Sequence, residues 1–151
     1  MLLISHKCFI EGRKMLIPIL NVADVDVSLA FYQKLGFKVD MAMPGPDGVN
    51  TFAFASMAGT TIGFNRDRLP EPVIAVEFMV YLDDAEDLDE HYARVKAQGI
   101  ALASEIKTQY WGDRTYTVHD PDSYIITLTK TVHQADMDYV AAVTRGEVKP
   151  E

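Results

Sequence analysis

Glu77 heads the run Glu77-Phe78-Met79-Val80-Tyr81, a carboxylate in an otherwise apolar stretch. On an apolar floor such a group can receive an amine or guanidinium, and with a substrate proton in reach it can act as a general base. A salt bridge to Arg114 is the plainer use of the same charge. Trp111, within Trp111-Gly112-Asp113-Arg114, offers a wall on which a planar ligand can stack, worth about 1 kcal/mol beyond area burial. Met41, Met43 and Met79 can form the adaptable surface that methionine gives to promiscuous sites. The predicted ligand-binding set is Asn21, Met43, Glu77, Met79, Trp111, Arg114, Tyr116 and Thr127, with no catalytic residue assigned.

The remaining candidates fit no known motif. His6, His91, His119 and His133 are scattered and make no H-E-x-x-H pattern, and the chain has no P-loop, Rossmann glycine set, G-x-S-x-G or Cys-His pair. His91, among Asp89, Glu90 and Arg94, is expected in solvent; His119, just before Asp120-Pro121-Asp122, is expected to hydrogen-bond a turn. Fourteen basic against 22 acidic residues give a net charge of −8. With a pI near 4.9, no basic surface is expected for nucleic acid, and a cationic small ligand is favoured. The single cysteine, Cys8, rules out an intrachain disulfide framework and suits a reducing compartment. No stretch approaches the roughly 18 apolar residues of a membrane span, so a soluble, cytoplasmic protein is expected.

The elements that must position these residues form a pattern written twice. A strand from Leu16 to Val22 leads to Asp24, a helix N-cap, then to Val27, Phe31 and Leu35 on one helical face, with Gly36 as the stop. About 60 residues on, a strand from Ala75 to Leu82 is followed by a cap at Asp83 or Asp84, by Leu88, Tyr92 and Val95, and by Gly99. Three strands follow each helix. They are Phe37 to Met43, Asn50 to Met57 and Thr60 to Asn65 in the first half, and Ala101 to Ile106, Arg114 to His119 and Tyr124 to Lys130 in the second. The segment Arg66 to Pro72 reads as a linker. The expected organisation is an extension at 1–14, a domain at 15–130 made of modules 15–66 and 73–130, and a tail at 131–151 with a short helix from Asp136 to Thr144.

Alternation assigns faces within the strands. Leu20, Val22, Phe78, Val80, Leu82, Ile126 and Leu128 should back onto the helices. Ile17, Ile19, Asn21, Glu77, Met79, Tyr81, Ile125, Thr127 and Thr129 should face the other way.

The motifs Val22-Ala23-Asp24, Ser28-Leu29-Ala30-Phe31-Tyr32, Leu35-Gly36-Phe37, Trp111-Gly112-Asp113-Arg114 and Asp120-Pro121-Asp122, in this order within a repeat, resemble the vicinal oxygen chelate superfamily of glyoxalases, bleomycin resistance proteins and extradiol dioxygenases. The resemblance implies an α+β fold of two βαβββ modules, a curved, cup-shaped mixed sheet with helices on its convex side, a small-molecule ligand and a homodimer. In catalytic relatives four strand positions hold a divalent metal; carried over, they fall on Ile17, Gly63, Glu77 and Thr127, of which only Glu77 is a good donor. The expectation is therefore no metal and no cofactor. The likeness is to the bleomycin resistance branch and its antibiotic sequestration, the alternative being a metal-dependent lyase, isomerase or dioxygenase. One departure from the family pattern stands out: Ser123-Tyr124 follows Asp-Pro-Asp where relatives usually have Gly-Asn, which puts a Cβ at a turn position that often requires φ > 0.

Overall fold

A computed structural model describes residues 17–67 and 76–150. The extension at 1–14, Cys8, His6 and most of the linker lie outside the described residues. The elements run β1 (Ile19–Val22), α1 (Val25–Leu35), β2 (Lys38–Pro44), β3 (Asn50–Met57), β4 (Thr60–Arg66), β5 (Glu77–Tyr81), α2 (Leu88–Ala97), β6 (Lys107–Thr108), β7 (Asp113–His119), β8 (Ile125–Thr131) and α3 (Met137–Thr144). They build two four-stranded mixed sheets of matching order, β1-β4-β3-β2 and β5-β8-β7-β6. In each, the first strand pairs in parallel with the last and the remaining pairs are antiparallel. The fold is thus the expected α+β repeat, with the β-face divided between two sheets.

Local chemistry sets the helix ends. Asp24 caps α1 by accepting from the Val27 N–H at 3.0 Å. Gly36, at φ +105°, turns the chain left-handed so that Phe37 N–H reaches the Tyr32 carbonyl at 2.9 Å. The cap of α2 is Asp87, accepting from Glu90 N–H at 2.9 Å, and not Asp83 or Asp84. Those two residues lie in a turn whose carbonyls converge on Lys130 Nζ, so the helix starts later than its acidic prelude suggests.

The helix faces also differ from expectation. In α1 the buried residues are Val25, Ser28, Leu29, Tyr32 and Leu35, while Val27 is 52% exposed. Val27 and Phe31 instead line an open groove of about 370 Å³ on the helix side with Lys34, Ile100, Ala101 and Pro121. In α2 the buried face is Leu88, His91 and Val95, and Tyr92 is only half-buried. The expected strand from Ala101 to Ile106 is reduced to a bridge between Leu102 and Val118, with β6 beginning at Lys107. Ser104 is the reason. Its hydroxyl accepts from Thr117 N–H at 2.9 Å, and both Ala103 and Ser104 N–H donate to the Thr117 carbonyl, so a side chain replaces part of the ladder.

The core lies between the helices and one face of each sheet. Leu20, Val22, Ala53, Ala55, Ile62 and Phe64 point into it from the first sheet, and Val80, Tyr116, Val118, Ile126 and Leu128 from the second. Two aspartates join the modules at the Asp-Pro-Asp turn. Asp122 accepts from Ala23 N–H at 3.1 Å and from the Ser28 hydroxyl at 3.4 Å, while Asp120 accepts from the Tyr32 hydroxyl at 3.0 Å. The other Asp120 oxygen accepts the N–H groups of Asp122 and Tyr124, which shapes the turn itself. His119 was expected to make such a bond; it is exposed, and Asp120 does that work. Ser123 sits at φ +71°, the left-handed conformation that glycine adopts at least cost.

Candidate functional site

The face of each sheet turned away from the helices is open, and pairing register places its residues in rows. On the first sheet Met43 pairs with Phe52, Met41 with Phe54, Phe54 with Gly63, and Gly63 with Ile19. All of these face away from the core, because the intervening Ala53 and Ala55 are fully buried. The Phe52 and Phe54 rings meet edge to face at 5.0 Å, and Ile19 is 47% exposed. This is an apolar, polarisable wall of two phenylalanines, two methionines and an isoleucine. At its end, Asn65 Nδ2 donates to Asn21 Oδ1 at 3.3 Å, and the Asn21 carbonyl accepts from Tyr124 of the second module at 3.1 Å.

The second sheet carries polar rows on this face, with Glu77, Met79, Tyr81 and His119 exposed at their ends and Thr115, Thr127 and Thr129 buried between them. Across β5, β8 and β7 they read Glu77, Ile125, His119; then Met79, Thr127, Thr117; then Tyr81, Thr129, Thr115; with Thr131 and Asp113 closing the series. Hydroxyls link the rows. The Thr127 hydroxyl donates to Glu77 Oε1 at 2.7 Å and lies 3.0 Å from the Thr117 hydroxyl. Because Thr127 spends its proton on the carboxylate, Thr117 is the donor in the second contact. At the far end Asp113, 7% exposed, accepts from the Tyr81 hydroxyl at 2.9 Å and from the Thr131 hydroxyl at 2.8 Å. The Asp113 carboxylate that accepts this hydrogen bond, together with partial burial, holds the phenol's pKa above its ordinary value.

Of the predicted ligand-binding residues, Asn21, Met43, Glu77, Met79 and Thr127 lie on the open faces. Trp111 lies beside the Asp113 end, in the loop entering β7, 37% exposed and edge to face with Tyr110 at 4.9 Å. Gly112 anchors that loop: at φ +94° its carbonyl accepts from Val132 and His133 N–H, and a Cβ there would strike the His133 carbonyl. Arg114 and Tyr116 do not join the site. They point to the helix side, where Arg114 forms a bidentate ion pair with Asp89 of α2, at 2.6 and 2.8 Å, in place of one with Glu77. Tyr116 is fully buried, its hydroxyl 2.7 Å from His91 Nδ1.

His91, expected in solvent, is 3% exposed and bridges the modules, its Nε2 lying 2.6 Å from the Leu35 carbonyl of α1. A carbonyl can only accept, so Nε2 carries the hydrogen and Nδ1 accepts from Tyr116, which fixes the neutral tautomer. Burial pushes the His91 pKa down, with the hydrogen bond to Leu35 opposing. The residues of these faces that the predicted ligand-binding set lacks include Phe52, Phe54 and Thr117. Alternation was the available signal for the first two: the small Ala53 and Ala55 between them mark the helix-packed side.

The four positions at which the resemblance puts metal donors can be tested on this geometry. A Cβ at Gly63 would overlap Ile19 Cδ1 and touch the Phe54 ring at 3.0 Å, so the space for a longer side chain is filled by hydrocarbon. Ile17 has no donor atom. Glu77 already accepts from Thr127, whose neutral hydroxyl is a poor ligand for transition metals. Among the described residues no three His, Cys, Asp or Glu side chains gather as a metal site would require. The donor set does not fit the family's metal.

The Glyoxalase/Bleomycin resistance protein/Dioxygenase superfamily model matches residues 14–128. An uncharacterized protein of Mycobacterium bovis is 28% identical over 140 residues, spanning 86% of this chain and 91% of that protein. Among solved structures, TioX from Micromonospora sp. ML1 superposes with a TM-score of 0.63 at 21% identity, over 81% of this chain and 99% of that one. A bleomycin resistance determinant encoded on the transposon Tn5 gives 0.62 at 24% identity, over 79% and 98%. Repeat, strand order, turn motifs and the extent of the match agree: the chain belongs to the Glyoxalase/Bleomycin resistance protein/Dioxygenase superfamily.

Proposed function

We propose that this protein binds and sequesters a small cationic or aromatic molecule on the open faces of its sheets, without a catalytic metal. One observation carries the reading: a wall of Met41, Met43, Phe52, Phe54 and Ile19 on one sheet, and an exposed carboxylate, Glu77, held by Thr127 and Thr117 on the other, where the second carboxylate, Asp113, is buried and engaged by Tyr81 and Thr131. Apolar and aromatic surface supplies most of a small ligand's binding free energy, and a few placed polar groups fix its orientation. Asn21, Met79 and Trp111 complete the ligand-binding set.

Two further parts of the proposal concern assembly and setting. Ile19, Met43, Met79 and Tyr81 are each between 41% and 49% exposed, an apolar surface that two copies can cover jointly. We therefore include a homodimer in which ligand grooves lie between copies. Among the described residues no helix is long and apolar enough to cross a membrane. With one cysteine in the chain, a reducing, cytoplasmic setting completes the reading, and antibiotic sequestration is its most specific form.

The test is a titration of Trp111 fluorescence with bleomycin and with simpler cationic aromatic compounds, run on the wild type and on Glu77→Gln. The variant should bind the cationic compounds about tenfold more weakly, the scale of one lost charge-assisted hydrogen bond. A fluorescence signal that ignores the whole panel, or an affinity that Glu77→Gln leaves unaltered, would sink the reading.

A further inference from the structure

We propose that His119 is a second ligand-gripping residue on the open face, paired with Glu77 to select zwitterions: ligands that carry a carboxylate as well as an amine, joined to an aromatic or apolar body. The inference rests on the binding function proposed above and names its ligand class.

The pairing comes from register. Ile125 of β8 pairs in parallel with Glu77 of β5 and antiparallel with His119 of β7. Register partners project to the same side of a sheet, so the three side chains form one row on the open face. The neighbouring residues agree with this phase. Phe78, Ile126 and Val118 project towards the helix-packed core, where Ile126 and Val118 are fully buried, whereas Glu77 and His119 are both exposed. Neighbouring strands lie about 4.8 Å apart, which puts the Glu77 and His119 backbones roughly 10 Å apart with the half-buried Ile125 between them.

The two ends of the row differ in chemistry. Glu77 only accepts, and one of its oxygens is already engaged by Thr127, which fixes the carboxylate and leaves acceptor capacity for an ammonium group. The imidazole of His119 presents an N–H donor in either tautomer and so suits a carboxylate. Ile125 forms the floor between them, and Met79 stands beside Glu77 in the next row. A net charge of −8 opposes a plain anion at this surface, whereas a zwitterion brings its own ammonium to Glu77 and adds no net charge.

A matched pair of fluorescent probes isolates the carboxylate. Dansylcadaverine is Nα-dansyl-lysine without its carboxylate, and both carry an aromatic body and a primary amine. Dansyl fluorescence titrations on the wild type, His119→Ala and Glu77→Gln should show Nα-dansyl-lysine binding the wild type about five- to tenfold more tightly than dansylcadaverine. His119→Ala should remove that difference and leave dansylcadaverine unchanged. Glu77→Gln should weaken both probes. Equal affinity of the two probes for the wild type, or a preference that survives His119→Ala, overturns the role of His119. If in that case Glu77→Gln still weakens both probes, the general binding function stands. Should neither probe bind the wild type, the zwitterion site and the binding function fall together.

Discussion

Glu77 and His91 show how the same chain uses titratable groups on its two sides. Glu77 is exposed on the face turned away from the helices and accepts from one hydroxyl, that of Thr127. His91 is enclosed on the helix side with both ring nitrogens occupied, by Leu35 and Tyr116, and is a structural bolt between modules. Its burial gives it a measurable signature. With the folded pKa lowered, the neutral ring is the form the fold accommodates, and its contribution is complete above the unfolded value of about 6.5. It is lost as pH falls through that value towards the lower folded one, because the unfolded chain takes up the proton first. Urea unfolding between about pH 7 and pH 5 should therefore show stability falling with acid in the wild type, and a flatter profile in His91→Gln, which has no imidazole to protonate. Parallel profiles would remove His91 from the acid response. Arg114 and Tyr116 make the complementary point. Both belong to the predicted ligand-binding set, yet Asp89 and His91 on α2 engage them.

Helix and strand positions were largely legible, because caps and periodicities are local. Asp24, Gly36 and Asp136 do at the helix ends what their side chains or backbone freedom permit. The third helix is placed as expected, though none of its residues is fully buried and Met137 is 70% exposed. What failed was phase. A helix stripe of Val27, Phe31 and Leu35 and one of Val25, Leu29, Tyr32 and Leu35 are both consistent with an amphipathic helix, and the sheet beneath selects the second. The β3–β4 hairpin offers a prediction at this scale. Its two-residue turn holds Ala58 at φ +51° and Gly59 at φ +73°, the paired left-handed geometry in which Asn-Gly is the preferred sequence. Ala58→Asn should raise the urea midpoint by the equivalent of about 0.5–1 kcal/mol, with the slope unchanged. A lowered midpoint would mean that the turn is held by forces other than its own backbone preference.

For the whole molecule, the repeat places two kinds of open face side by side in one chain: apolar and aromatic on the first module, hydroxylic and acidic on the second. The Asp120 and Asp122 carboxylates clamp the modules through Tyr32, Ala23 and Ser28, so the two faces are held by one framework. Burial raises the Asp120 pKa, while the donors from Tyr124, Tyr32 and Asp122 stabilise its charged form. The homodimer proposed from the exposed apolar residues predicts, in sedimentation equilibrium at micromolar concentration, a mass of about twice 16.9 kDa. A monomer mass across the concentration range would return those faces to the single chain.

By itself the sequence determined the repeat, the family, the caps and turns, and the strand residues that alternate between core and open face. Those features depend on neighbours a few residues away, and the written pattern contains them. The tertiary structure decided which phase each helix adopts, which side of β7 meets α2, that His91 bolts the modules together, and that Ser104 interrupts a strand. It also brought Glu77, Ile125 and His119 into one row across three strands distant in the chain. Such choices arise from competition between faces that are equally plausible alone, and only packing against a partner element resolves them.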